Sequence, residues 1–223
     1  GTPAPLKKQP RPFPHNFPTR PRGTLSKEGV ALLDAGYAVV MLRRVGSVRP
    51  FHRLTAAFAE DLEDHVDAAV TGVALPAAVR AEVGDARRVR AGGTLLEVPF
   101  TSVTDYLHVL KGAGEAAAPA GPRALFLLAA AVSDFYVPES KMVEHKIQSG
   151  GGSSSLTLEL EGVPKALGAL RHDWAPDSFV VSFKLETDEG ILLAKARAAQ
   201  AKYGMHCVVA NLLSKRYDEV HLV

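Results

Sequence analysis

Hydrophobic positions along this chain change their period several times, and each change marks an element. Ser26 offers a side-chain cap for a helix running to Asp34, and Gly36 follows it, where glycine tolerates the left-handed conformation that ends helices. Residues 37–42 (YAVVML) read as a short buried strand. Between residues 54 and 90 the pattern turns helical. Phe58, Leu62, Val66 and Val70 recur every four residues, opposite Glu60, Asp61, Glu63 and Asp64, so the acidic run is that helix's wet face. Residues 94–99 predict a strand. Ser102 then opens another helix, with Val103, Tyr106, Leu107 and Leu110 at helical spacing.

Residues 124–132 (ALFLLAAAV) are continuously apolar, as a parallel strand covered on both faces requires. After the Gly/Ser run at 149–155, Leu156, Leu158 and Leu160 alternate with Thr157 and Glu159, the period of a ribbon strand with one wet face. Residues 179–184 predict a further buried strand, residues 189–203 a helix stopped by Gly204, and residues 206–210 another strand. This alternation predicts an α/β fold: a Rossmann-like, mainly parallel sheet with flanking helices, plus a β-ribbon or flap over residues 138–165, all in one domain over residues 1–223. The turn-like Gly1-Thr2 and the strand-like Val220-His221-Leu222-Val223 read as cut ends, a fragment lacking its first strand and its C-terminal elements.

Composition then removes whole classes of function. With 47% hydrophobic and 22% charged residues the chain is ordinary globular protein. Its longest apolar run falls far short of the roughly 20 residues of a membrane helix, so no membrane partner is expected. The single Cys207 leaves no internal disulfide and no cysteine-cluster metal, and fits a reducing, cytoplasmic setting. Near-balanced charge, 26 basic against 24 acidic residues, gives no nucleic-acid footprint. His52, His108, His145 and His172 show no ligand spacing, so no metal held by protein ligands is expected. No P-loop, GxGxxG, GxSxG or HExxH pattern occurs. Residues 1–22 hold seven of the 15 prolines and the cations Lys7, Lys8, Arg11, Arg20 and Arg22, which predicts an extended loop or tail over residues 1–24.

Ligands of open α/β sheets bind beyond the carboxyl ends of the strands, and three predicted strands here end in polar groups. Ala129-Ala130-Ala131-Val132-Ser133-Asp134 combines small side chains, which let a ligand approach the backbone, with an acceptor carboxylate. In Ser182-Phe183-Lys184, Phe183 could stack on a base and Lys184 could contact its edge. Asn211 follows Ala210 at the third end. Helix capping and small-residue packing explain each end equally well when it is taken alone. Lys146, between Pro138 and the Gly/Ser run, puts a cation on a predicted flap that could close over a nucleotide; a solvated surface lysine is the plainer alternative.

The ordered set AAAVSDFYV (129–137), Glu144-His145-Lys146-Ile147-Gln148-Ser149, Val163-Pro164-Lys165, Asp173-Trp174-Ala175-Pro176, SFKLETD (182–188) and Val208-Val209-Ala210-Asn211 resembles the phosphopantothenate–cysteine ligases of the eukaryotic type. Thr104-Asp105-Tyr106-Leu107-His108 and Ala35-Gly36-Tyr37 fit the same pattern. The resemblance implies a homodimer, with ATP and Mg²⁺, that activates the carboxylate of 4′-phosphopantothenate as an acyl-adenylate and transfers it to the amine of L-cysteine, the second step of coenzyme A synthesis from pantothenate. Matched by motif, Asn16 is the loop asparagine that holds the reacting carboxylate, Lys146 the flap lysine, Ala130, Ala131 and Asp134 the phosphopantothenate contacts, and Gly23, Phe183 and Asn211 the nucleotide contacts. The loop after Asn16 departs from the family's Asn-x-Ser-Ser-Gly-x-x-Gly: Pro18 removes a hydroxyl and an amide donor, Arg20 replaces a glycine, and Pro12 stands in for an arginine that reaches the neighbouring subunit. Two functions therefore stand open, an active ligase and a catalytically impaired homologue that keeps the pantothenate pocket and dimer surface. A nicotinamide-dependent oxidoreductase would rest on fold analogy alone.

Overall fold

Helix α1 (Leu25–Asp34) ends where its sequence directs. The amide of Gly36, at φ +88°, donates to Leu33 and that of Tyr37 to Leu32, the paired bonds of a glycine-terminated helix. Ser26 lies inside this helix rather than before it. The structure, a computed structural model, describes residues 25–60, 75–142, 158–216 and 218–223. These fall into two compact units, Gly1–Pro99 and Phe100–Val223.

In the first unit β1 (Val39–Arg44) pairs with β2 (Leu95–Phe100), and Gly29 of α1 faces Met41 of β1. Helix α2 (Arg53–Glu60) packs on α3 (Ala77–Ala91). The contact is polar at its start. Glu82 of α3 accepts from the amides of Arg53, Leu54 and Thr55 and from the Thr55 hydroxyl, at 2.8–3.1 Å, so a carboxylate from a neighbouring helix satisfies donors that the first turn leaves open. Leu62, Val66 and Val70 of the expected apolar stripe lie outside the described residues.

The second unit begins with helix α4 (Val103–Ala117), capped by Ser102 as its sequence predicts. Ser102 Oγ accepts from the Asp105 amide at 3.0 Å, while the Asp105 carboxylate accepts from the Thr101 hydroxyl and from the amides of Thr101 and Ser102. Those bonds, the Thr101 hydroxyl foremost, push the carboxyl down to about 2. Asp105 of the Thr-Asp-Tyr motif thus starts a helix.

A four-stranded sheet follows, in the order β3 (Leu125–Leu128), β6 (Phe179–Glu186), β7 (Cys207–Leu212) and β8 (His221–Leu222). The first three strands are parallel and β8 runs antiparallel to β7. A two-stranded ribbon, β4 (Phe135–Tyr136) with β5 (Glu161–Gly162), stands beside it in sequence. Two expectations need correction. The strand expected over residues 124–132 ends at Leu128, opposite Ser182, because Ala129, Ala130 and Ala131 carry too little side chain to gain from sheet packing and leave the ladder. The alternating leucines Leu158 and Leu160 lie before the ribbon's second strand, which pairs only at Glu161 and Gly162.

Helix α5 (Ala166–Ala169) runs into a wider π turn, Leu170–Trp174, that packs on α4. Gly114 of α4 makes this approach possible. A Cβ there would lie 3.0 Å from Trp174 Cβ and 3.1 Å from Leu170 Cδ1. Leu170 is fully buried, and a Cβ atom cannot swing aside. Gly114→Ala gains about 1 kcal/mol of helix propensity against overpacking of about 1–3 kcal/mol. We expect crowding to win, with thermal unfolding lowered by about 4 °C; a raised Tm would mean that the turn yields.

Helix α6 (Glu189–Tyr203) starts on Asp188, whose carboxylate accepts from the Gly190 amide at 2.8 Å, and stops at Gly204 with φ +64°. Its buried Leu192 and Ala196 cover β6 and β7. At the opposite end of these strands the His206 Nδ1 accepts from the Val180 amide at 3.1 Å, and the ring stacks on Phe179. Burial, with Arg171 nearby, holds this imidazole below its ordinary pKa and therefore neutral near pH 7.

Candidate active site

In the parallel ladder, residues paired across strands project to the same side, and successive residues alternate. The register Phe183↔Val209 and Leu185↔Asn211 puts Val181, Phe183, Leu185, Cys207, Val209 and Asn211 on one face. Val180, Ser182, Lys184, Glu186, Val208, Ala210 and Leu212 take the other. That second face is the one under α6: Val180, Val208 and Ala210 are completely buried, and Lys195 of α6 reaches Glu186 of β6. The first face is more open. Phe183, Cys207, Val209 and Asn211 are half-buried there, and Leu185 is 50% exposed.

Phe183 and Asn211 therefore share the open face on neighbouring strands, two register positions apart, Asn211 next to the last residue of β7 and Phe183 inside β6, which runs on to Glu186. Leu128 pairs with Ser182, so the chain leaves β3 beside Phe183 and carries Ala129, Ala130 and Ala131 past the same end of the sheet. Strands spaced about 4.8 Å set the three ends side by side, with β6 and β7 running on past the end of β3 by roughly 13 Å. All are carboxyl ends of parallel strands, the place where such sheets take ligands.

Asp134 closes this loop. Its carbonyl accepts from the Val163 amide at 2.9 Å, and its carboxylate lies 3.2 Å from Lys165 Nζ. The pair is exposed, so its value is local charge balance more than stability. Ser133 Oγ donates to the Phe135 carbonyl at 2.7 Å, which tightens the turn into the ribbon. Lys141 bridges toward Glu159 and Glu161 at 3.4 and 3.2 Å across the ribbon base.

Lys184 does not join Phe183 and Asn211. It lies on the α6 side, 3.1 Å from Glu186, which also takes Lys195 at 3.0 Å. The two ammonium groups, Lys195 first, hold the Glu186 carboxyl below the usual range. Asn16, Gly23 and Lys146 lie outside the described residues. Among the described residues no cluster of three His, Cys, Asp or Glu side chains could hold a metal ion, and no helix is long and apolar enough to cross a membrane.

Two groups at this end carry no assigned role in the sequence reading. Lys165 stands in the recognised Val-Pro-Lys motif, but only the β4–β5 register, Phe135↔Gly162, brings it to Asp134. Glu186 carries no signal except its i, i+2 spacing from Lys184, which places both on one side of a strand.

Comparison with known proteins decides the family. Residues 94–221 match the model of the DNA/pantothenate metabolism flavoprotein C-terminal domain. The phosphopantothenate–cysteine ligase of Homo sapiens is 45% identical over 231 residues, covering 100% of this chain and 73% of the relative. The chain belongs to the phosphopantothenate–cysteine ligase family. Ligase 1 of Oryza sativa subsp. japonica is 44% identical over 229 residues, again across the full chain and 69% of the relative. Among solved structures, a Cab2 mutant in complex with phosphopantothenate-cysteine is 36% identical with a TM-score of 0.77, covering 89% of this chain and 65% of that one. The fold expected from the alternation of elements, a mainly parallel sheet with flanking helices, is the fold of this family member.

Proposed function

We propose that this chain joins 4′-phosphopantothenate to L-cysteine at the expense of ATP. The observation that carries the reading is the convergence of the β3, β6 and β7 ends on one edge of the sheet, with Phe183 and Asn211 on its open face, in a chain of this ligase family. A carboxylate is inert toward amines until one of its oxygens becomes a leaving group. The substrate carboxylate attacks the α-phosphorus of ATP and expels pyrophosphate, giving a mixed anhydride. The cysteine amine then attacks the acyl carbon, the C–O bond to phosphate breaks, AMP departs, and the amine loses a proton. No protein nucleophile is needed; the work is positioning and charge screening.

In this reading Ala130 and Ala131 let the pantothenate chain lie against backbone. Asp134, balanced by Lys165, accepts from its polar groups. Phe183 stacks on the adenine, and Asn211 and Gly23 complete the nucleotide contacts. Lys146 closes over the phosphates, and Asn16 holds the reacting carboxylate. Lys184 is engaged by Glu186 on the covered face, where Glu186 in turn ties β6 to α6 through Lys195. Mg²⁺ would arrive with the nucleotide phosphates, because the described residues supply isolated carboxylates rather than a cage. The reading includes the homodimer and the cytoplasmic setting implied by the family resemblance.

The half-reactions separate the possibilities. With ATP, Mg²⁺ and phosphopantothenate, the folded protein should release one burst of pyrophosphate; adding cysteine should release AMP and make turnover continuous. Phosphopantothenate binding without any pyrophosphate would reject catalysis and favour the impaired homologue, for which Pro18 and Arg20 supply the motive.

A further inference from the structure

In the first unit, three guanidinium groups share a single carboxylate. Glu97 of β2 accepts from Arg43 Nε at 2.9 Å and, in a fork, from Arg49 Nε at 2.9 Å and Nη2 at 2.8 Å. Arg90, from the last turn of α3, brings Nη2 to 3.6 Å, close enough for attraction but too far for a hydrogen bond. The Glu97 side chain is only 12% exposed, whereas those of Arg49 and Arg90 are 38% and 45% exposed. Three positive charges against one negative charge leave two positive charges at one place. Each guanidinium has five N–H donors. Arg43 spends one of them on Glu97, Arg49 two and Arg90 none at hydrogen-bonding distance. Glu97 holds the heads of Arg43 and Arg49 in fixed orientation, so the entropy of arranging them is already spent on folding. Neighbouring Arg88 is engaged elsewhere, 2.9 Å from Asp85, and does not belong to the cluster.

We propose that Arg43, Arg49 and Arg90 of the first unit form a binding site for a phosphoryl dianion. The excess of two charges matches the ligand's two, and planar N–H forks match paired phosphate oxygens in a way that lysines would not. Inorganic phosphate, pyrophosphate and phosphate monoesters share this chemistry.

The guanidinium Nε–Hε resonances of Arg43 and Arg49, held by Glu97, report on the site directly in nitrogen-15 spectra of the whole chain. Titration with inorganic phosphate should shift both saturably, and sodium chloride at equal ionic strength should not. Pyrophosphate in a second titration should bind tighter if two phosphoryl groups are read, and equally if one is. Arg90→Gln removes a charged donor from a half-exposed position and should weaken phosphate binding about tenfold. Glu97→Gln removes the cluster's one negative charge, keeps an acceptor for the arginines, and should tighten it. No saturable shift, a shift reproduced by chloride, or affinity unchanged in both variants would overturn the site. None of these readouts depends on ligase turnover, so failure here leaves the proposed reaction intact, and failure of the reaction leaves this site intact.

Discussion

Ligase turnover should fall by at least about a hundredfold in Asn16→Ala, with the thermal midpoint unchanged. The reacting carboxylate carries a full charge in the ground state, and one oxygen must be aimed at phosphorus while the other is held. A neutral amide does this without competing as a nucleophile and without adding a charge that would have to be desolvated. Losing one preorganised donor of this kind typically costs about 10²–10³ in rate. Because the interaction strengthens as the anhydride forms, the loss should fall on kcat more than on KM. The measurement is continuous pyrophosphate release at saturating ATP and phosphopantothenate, beside a melting curve. Wild-type kcat in the variant would remove Asn16 from the mechanism and weaken the motif match on which its role rests.

The largest effect on stability is expected at Glu97. Glu97→Ala leaves three arginines facing one another without their shared anion. Removing one partner from a buried ion pair costs about 3–5 kcal/mol. Arg49 and Arg90 are exposed enough to rehydrate, so about 2–3 kcal/mol is the better figure, which lowers Tm by roughly 5–10 °C in a chain of this size. Acid should reveal the same linkage. The Arg49 hydrogen bonds, foremost, depress the Glu97 carboxyl below its ordinary 4.5. Its contribution is therefore complete above about pH 4.5 and disappears as the pH falls through the lower folded value. Glu97→Gln should flatten that acid limb of the Tm profile. A wild-type melting curve in Glu97→Ala would show that the arginines are satisfied by water.

Elements with strong local chemistry were legible from sequence. Ser102, Gly36, Gly204 and the β6–α6–β7 alternation all stand where residue types and periods put them. Failures came where local pattern and partner disagree. Residues 124–132 look like one long strand because alanine is apolar, yet three alanines in a row hold no sheet face, and the chain turns off after Leu128. Arg43, Arg49, Arg90 and Glu97 lie up to 54 positions apart, so nothing local joins them. The same holds for Glu82 and the start of α2. The motifs singled out Phe183, Lys184 and Asn211 together, but only register shows that Phe183 and Asn211 project to one side and Lys184 to the other.

That two-sided division along β6 and β7 has an evolutionary consequence. Odd-numbered positions there line the open face, while even-numbered ones meet the chain's own helix. On the proposed function, drift in nucleotide preference can proceed by substitution at Phe183 or Asn211 with little penalty to folding. Exchanges at Ser182, Val208 or Ala210 are screened for solubility long before any selection for chemistry acts. Nearest neighbours in this stretch of sequence therefore evolve under different rules.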